Sequence, residues 1–223
     1  MEIKVERNIL AANEAIALEN RRLLRKRGIY AVNLISSPGA GKTTLLERSV
    51  ATLIKEIPLA VIEGDIATSI DADRVRKHGA PAVQINTAGN CHLDARMVRQ
   101  GLAELGVEGV RLLLIENVGN LVCPAGFDLG EDEKVALLSV TEGEDKPLKY
   151  PHIFLESTAL VVNKIDLLPY CDCDLGRLKE AALRINPRLH IFELSCRSGE
   201  GLEAWYDWLR ERVAARARPE PAE

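Results

Sequence analysis

Apolar positions along this chain follow two alternating rhythms. Seven short runs, "YAVNLIS", "PLAVIEG", "PAVQIN", "VRLLLIEN", "KVALLSV", "ALVVNKI" and "HIFELS", are nearly continuous in Val, Ile and Leu, the pattern of strands buried on both faces. Residues 43–56, 93–105, 175–185 and 202–213 instead repeat apolar side chains at helical spacing. Residues 8–26 do so ahead of the first run, and Gly28 is a natural stop. This alternation predicts an α/β fold: a doubly wound, mainly parallel sheet of about seven strands with helices on both faces. Residues 1–28 are expected to form an N-terminal helix packed on a single domain at 29–215, with 216–223 a flexible tail. Residues 141–151, "TEGEDKPLKYP", are polar and punctuated by proline, which predicts a surface loop.

Composition narrows the function classes. A chain of 223 residues, 47% hydrophobic, can bury one sizeable core and needs no second domain. A formal charge of -4 carries no basic surplus for nucleic acid or an anionic membrane. The cluster "RRLLRKR" at residues 21–27 reads as the solvated last turn of a helix, where cations complement the terminal carbonyls. No apolar run approaches the roughly 18 residues of a membrane span, and "MEIKVERNIL" lacks the order of a secretory signal, so a cytoplasmic protein is expected. Five cysteines do not suit a disulfide framework, which leaves metal binding, catalysis or burial.

In such sheets ligands gather beyond the carboxyl ends of the strands. The first of these loops is "SSPGAGKTTLLE", residues 36–47, the strand–loop–helix context of a P-loop NTPase, although Ser36 stands where the usual pattern has glycine. Gly39 and Gly41 permit a tight path, the backbone N–H groups of Gly39, Ala40, Gly41, Lys42, Thr43 and Thr44 can surround phosphate, and Lys42 can reach its outer oxygens. Thr43 can offer a hydroxyl to magnesium, joined by Asp65 after the second run and Glu116 after the fourth. Asp65 also suits an ordinary helix cap. Lys42, Thr43 and Asp65 are the expected catalytic residues, and no side chain that would position the attacking water stands out. After the sixth run, "NKID" places Asn163, Lys164 and Asp166 at a spacing suited to guanine, whose ring N–H and amine a carboxylate accepts together. Ser195 and Cys196, in "LSCRSGEGL", are expected to close that pocket.

Two further loops carry thiols. Cys91 and His92 follow the third run and Cys123 the fourth, a donor set suited to zinc or nickel that leaves a coordination position for water, another residue or a second chain. Plain burial is the competing account of such cysteines. Cys171 and Cys173, in "CDC", read as an exposed turn, Cys196 as small rather than reactive, and His78, His152 and His190 as unpaired.

Together "SSPGAGKTTLLE", "EGDIATSIDADR", "GNCHLDARMV", "ENVGNLVCP", "VVNKIDLL" and "SCRSGEGLEAW" resemble the hydrogenase nickel-incorporation GTPases, the HypB family, in order and over nearly the whole chain. The resemblance implies GTP hydrolysis to GDP coupled to nickel delivery into the nickel–iron hydrogenase large-subunit precursor. It implies a nucleotide-linked homodimer, partnership with a HypA-type accessory protein, and Cys91, His92 and Cys123 as a nickel or zinc site at the dimer interface. "MEIKVERNIL" has none of the cysteine- or histidine-rich extension of some relatives, so only this inner metal site is expected. Rival readings are a urease-type nickel accessory GTPase, a metal-binding scaffold whose dimerisation nucleotide controls, and a small-molecule kinase, which would need neither "NKID" nor the thiols.

Overall fold

A computed structural model of the chain describes residues 5–65 and 74–216. The first four residues, the stretch that follows Asp65 and would form a helix capped by it, and the expected tail beyond residue 216 lie outside the described residues.

Seven strands form one sheet in the order β3-β2-β4-β1-β5-β6-β7. They are β1 (Tyr30–Ser36), β2 (Leu59–Asp65), β3 (Ala82–Asn86), β4 (Leu112–Glu116), β5 (Glu133–Ser139), β6 (Ala159–Asn163) and β7 (His190–Glu193). Every pairing is parallel, so the expectation of a mainly parallel sheet becomes an all-parallel one. Among the described residues the helices include α1 (Val5–Lys26), α2 (Lys42–Leu53), α3 (Ala95–Leu105), α4 (Lys146–Lys149), α5 (Pro151–Glu156), α6 (Leu175–Ile185) and α7 (Leu202–Arg216).

Alternate strand residues divide the core. Val32, Leu34, Val61 and Leu114 face α2 and α7, through Leu45, Leu46, Trp205 and Leu209. Ala31, Ile62 and Ile115 face α1 and α3, through Leu24, Val98 and Leu102. Ile35, Leu138 and Val162 on that second face meet α5 and α6, through Phe154 and Leu178. Burial on both faces is what makes the strands read as unbroken apolar runs.

The N-terminal helix is bound to the loop before β5 and to the start of α3 by polar side chains. Asn13 Nδ2 donates to the Asp128 carbonyl (2.7 Å), and Asn20 Nδ2 to those of Ala95 (2.8 Å) and Leu129 (2.9 Å). Arg21, expected in a solvated turn, instead donates to both carboxylate oxygens of Asp128, at 2.7 and 2.9 Å. Only a partner brought in from beyond β4 reveals that role.

The segment at 141–151 is also more ordered than the expected loop. Ser139 and Glu142 make a capping box on a short 3-10 turn (Val140–Glu142), and α4 and α5 follow at once. Pro147 and Pro151 lie in the first turns of α4 and α5, where a missing N–H costs nothing, so these prolines start helices rather than break them. Cys171 and Cys173 are half-buried against the cluster under α5 and α6 rather than in an exposed turn.

Candidate functional site

The phosphate loop leaves β1 and enters α2 through two glycines in the left-handed region, Gly39 (φ 76°) and Gly41 (φ 106°). A Cβ on Gly41 would stand 2.3 Å from Asn163 Nδ2, so this turn needs glycine for its shape and for its neighbour. Lys42 is buried, and its Nζ donates to Ser36 Oγ at 3.0 Å, while that hydroxyl donates to the Ser37 carbonyl at 2.6 Å. The serine in the usual glycine position is therefore part of the cradle: it orients the lysine ammonium.

The "NKID" loop is joined to this cradle. Asn163 Nδ2 donates to the Ala40 carbonyl (2.9 Å), and its Oδ1 accepts from the backbone of Lys164 (2.7 Å) and Cys196 (3.1 Å). Its amide thus braces three loops against one another. Lys164 adopts φ 64° and donates through Nζ to the Gly39 carbonyl at 2.7 Å. Asp166 Oδ1 accepts from Ser195 Oγ at 2.6 Å, and Ser195 Oγ accepts from the backbone of Arg197 and Ser198. The Cys196 thiol is buried, and burial pushes its pKa up to about 11, which makes it unreactive at neutral pH.

Hard oxygen donors meet at the ends of β2 and β4. Thr43 Oγ1, in the first turn of α2, donates to Glu116 Oε1 at 2.8 Å. Asp65 and Glu116 line one cleft of about 340 Å³ with Lys42, Glu63 and Gly119. Glu63, which sequence reasoning passed over, is buried and in register with Glu116 on the neighbouring strand; period-two spacing from Asp65 was its available signal. Three carboxylates and a hydroxyl around a cleft fit a small divalent cation such as magnesium. Gly119 was also missed: a Cβ there would lie 3.1 to 3.3 Å from Pro38 Cγ, Cα and N, so the chain leaving β4 rests directly on the phosphate loop.

Cys91, His92 and Cys123 come together as expected from their loops, with donor atoms all within 4.8 Å of one another. Cys91 Sγ lies 3.7 Å from His92 Nδ1, and the imidazole stacks on Phe127 with ring centroids 3.9 Å apart. Hydrogen bonding to Cys123, with burial adding to it, raises the Cys91 pKa. Burial lowers that of His92 against the opposing pull of Asp94, favouring the neutral, metal-binding form of the ring. All three are half-buried, which allows access to an ion. The site is therefore two donor sets on one sheet edge, hard oxygens under the phosphate cradle and soft sulfur and nitrogen beside it. Among the described residues no helix is long and apolar enough to cross a membrane.

Comparisons with known proteins place the chain in a family. The sequence profile described as CobW/HypB/UreG, nucleotide-binding domain, matches residues 30–193. Hydrogenase maturation factor HypB of Rhizobium leguminosarum bv. viciae is 54% identical over 215 residues, spanning 96% of this chain and 72% of that protein. HypB of Archaeoglobus fulgidus superposes with a TM-score of 0.86 at 41% identity, covering 91% of this chain and 99% of that one. HypB of Helicobacter pylori, solved in complex with nickel, superposes with a TM-score of 0.87 at 38% identity, covering 95% of this chain and 100% of that one.

Proposed function

This chain belongs to the HypB family of hydrogenase maturation factors, within the CobW/HypB/UreG nucleotide-binding domains, and from that premise we propose that it is a GTP-hydrolysing factor that delivers nickel to the nickel–iron hydrogenase large-subunit precursor. The observation that carries the reading is the placement of the Cys91, His92 and Cys123 donor set at the same sheet edge as the phosphate cradle. Nickel in complex with a relative 38% identical supports the choice of cargo.

In this reading the backbone of residues 39–44 holds the phosphates of GTP, and Lys42 places its charge on the oxygens that gain charge during hydrolysis. Asp166, oriented by Ser195, accepts from the guanine edge, and Asn163 contributes by keeping base loop and phosphate loop in register. Thr43, Asp65 and Glu116 would hold magnesium, which when bound neutralises phosphate charge. The two thiols lose their protons as nickel binds, and three donors leave a position that a second copy of the chain can supply across a twofold axis. A HypA-type protein would act as the metal-exchange partner, in the cytoplasm.

Nickel and zinc titrations of the wild type and of Cys91→Ala and Cys123→Ala, with phosphate release from GTP followed in parallel for Lys42→Ala, test the reading. Each cysteine variant should bind metal at least about 10-fold more weakly, and Lys42→Ala should hydrolyse GTP at least about 100-fold more slowly. Unchanged metal affinity in both cysteine variants would overturn the ligand set. Wild-type turnover in Lys42→Ala would overturn the nucleotide site.

A further inference from the structure

Between the nucleotide cleft and the thiols lies a buried amide with no part in the roles above. Asn117, 1% exposed, directly follows Glu116. Its Oδ1 accepts from the backbone N–H of Leu93 and of Val118, each at 3.0 Å. Two backbone donors on one atom identify that atom as the oxygen, so Nδ2 is the atom that donates to Asn33 Oδ1 at 3.2 Å. Asn33 in turn donates to Glu131 Oε1 (3.1 Å), and Glu131 Oε2 accepts from Leu129 N (2.7 Å). A polar seam thus crosses the second face of the sheet and holds the amide in one orientation.

What this amide joins is specific. Leu93 adjoins His92 in the loop that carries Cys91, and Val118 opens the loop that leads to Cys123. One oxygen therefore ties the backbones of both ligand-bearing loops. Leu93 also touches the nucleotide side: a Cβ on Gly64 would stand 2.6 to 2.8 Å from its Cγ, Cδ1 and Cδ2, so the leucine occupies the space that glycine leaves. Gly64 precedes Asp65 as Asn117 follows Glu116. Leu93 consequently rests on the ends of both strands that supply acids to the cleft.

We propose that Asn117 is a positioning residue that sets the separation of the Cys91–His92 and Cys123 donors and transmits movement of the β2 and β4 ends on GTP binding to the metal. The proposal rests on those three residues holding the metal. Without the amide oxygen, two buried N–H groups lose their shared acceptor, and the backbones of the two loops lose the side-chain oxygen that joins them.

The test uses cobalt(II) as probe, because the thiolate-to-cobalt absorption band reports sulfur coordination directly. Wild type, Cys123→Ala, Asn117→Ala and Asn117→Asp are titrated with GDP and with a non-hydrolysable GTP analogue, and thermal unfolding of the metal-free proteins is recorded alongside. Asn117→Ala should lose about 10- to 100-fold in cobalt affinity, with the affinity ratio between the two nucleotide states moving toward one. Asn117→Asp, which keeps the acceptor oxygen and, protonated in this buried place, can still donate to Asn33 Oδ1, should recover most of the affinity. If Asn117→Ala does not fold, Asn117→Ser, too short to serve both N–H groups, takes its place with the same expectation. Wild-type affinity and ratio in the alanine or serine variant would overturn the proposal alone. Equal losses in the aspartate and alanine variants would do so too, since the acceptor would then not be what matters. A band that is missing in wild type, or that survives in Cys123→Ala, would overturn the ligand set and this proposal with it.

Discussion

In the proposed base pocket Asp166 would accept from two donors on one edge of guanine, and Ser195 orients its carboxylate by donating to Oδ1 at 2.6 Å. Asp166→Asn keeps the shape but exchanges an acceptor for a donor. Affinity for GDP should fall about 10- to 100-fold, the range of a lost charge-assisted hydrogen bond, and affinity for xanthosine diphosphate should rise. Competition against a fluorescent nucleotide measures both, and unchanged GDP affinity would remove Asp166 from the base pocket. The neighbouring Asn163 marks where residue spacing stops being informative. Its place three positions before Asp166 groups both with the base, yet its amide is spent on Ala40, Lys164 and Cys196. Such a choice depends on which distant loop lies opposite. The thiol trio was legible because strand ends define loops and parallel strands put those loops on one edge; Asn117 was not, since the partners of its oxygen are backbone groups with no signature in the sequence.

At the scale of elements, α1 depends on close approach to the loop before β5. Gly130 has φ 94°, and a Cβ there would meet Asn20 Cβ at 2.6 Å, the Ala17 carbonyl at 2.7 Å and Arg21 N at 2.9 Å. Gly130→Ala should therefore cost about 2 kcal/mol, or about 4–8 °C in Tm for a domain of this size, and a calorimetric scan showing no shift would refute that docking. The Arg21–Asp128 pair beside it predicts a pH dependence. Burial opposes the Asp128 charge, but Arg21 and the Gly130 N–H outweigh it and leave its pKa lowered. A depressed carboxylate stabilises the fold above its unfolded pKa, and that contribution disappears as pH falls through the lower, folded value. Arg21→Met should thus be about 1 kcal/mol less stable than wild type at pH 7, with the gap closing below about pH 3.9; a gap independent of pH would show the arginine acts by packing alone. The helices at α4 and α5 escaped the sequence pattern because they are too short to show a period, and their prolines resemble loop punctuation until their first-turn positions are seen.

For the whole molecule, unbroken apolar runs between amphipathic segments carried the seven-stranded, doubly wound architecture, because a parallel sheet must be covered on both faces. Strand order was not legible, since every crossover helix looks alike from the sequence whichever edge it serves. Yet the order sets the function. With β1 flanked by β4 and β5, and β2 beyond β4, the phosphate loop, the acids and both thiol loops share one rim. We expect this rim to couple nucleotide state to metal affinity, and linkage requires such coupling to be reciprocal. Nickel affinity measured calorimetrically on wild type with GDP and with a non-hydrolysable GTP analogue, followed by analogue affinity with and without nickel, tests it most directly. The account predicts that the two nucleotide states differ in nickel affinity by about 5- to 150-fold, with nickel changing the relative affinity for analogue and GDP by the same factor. Nickel bound equally tightly in both states, by a protein that binds both ligands, would contradict it.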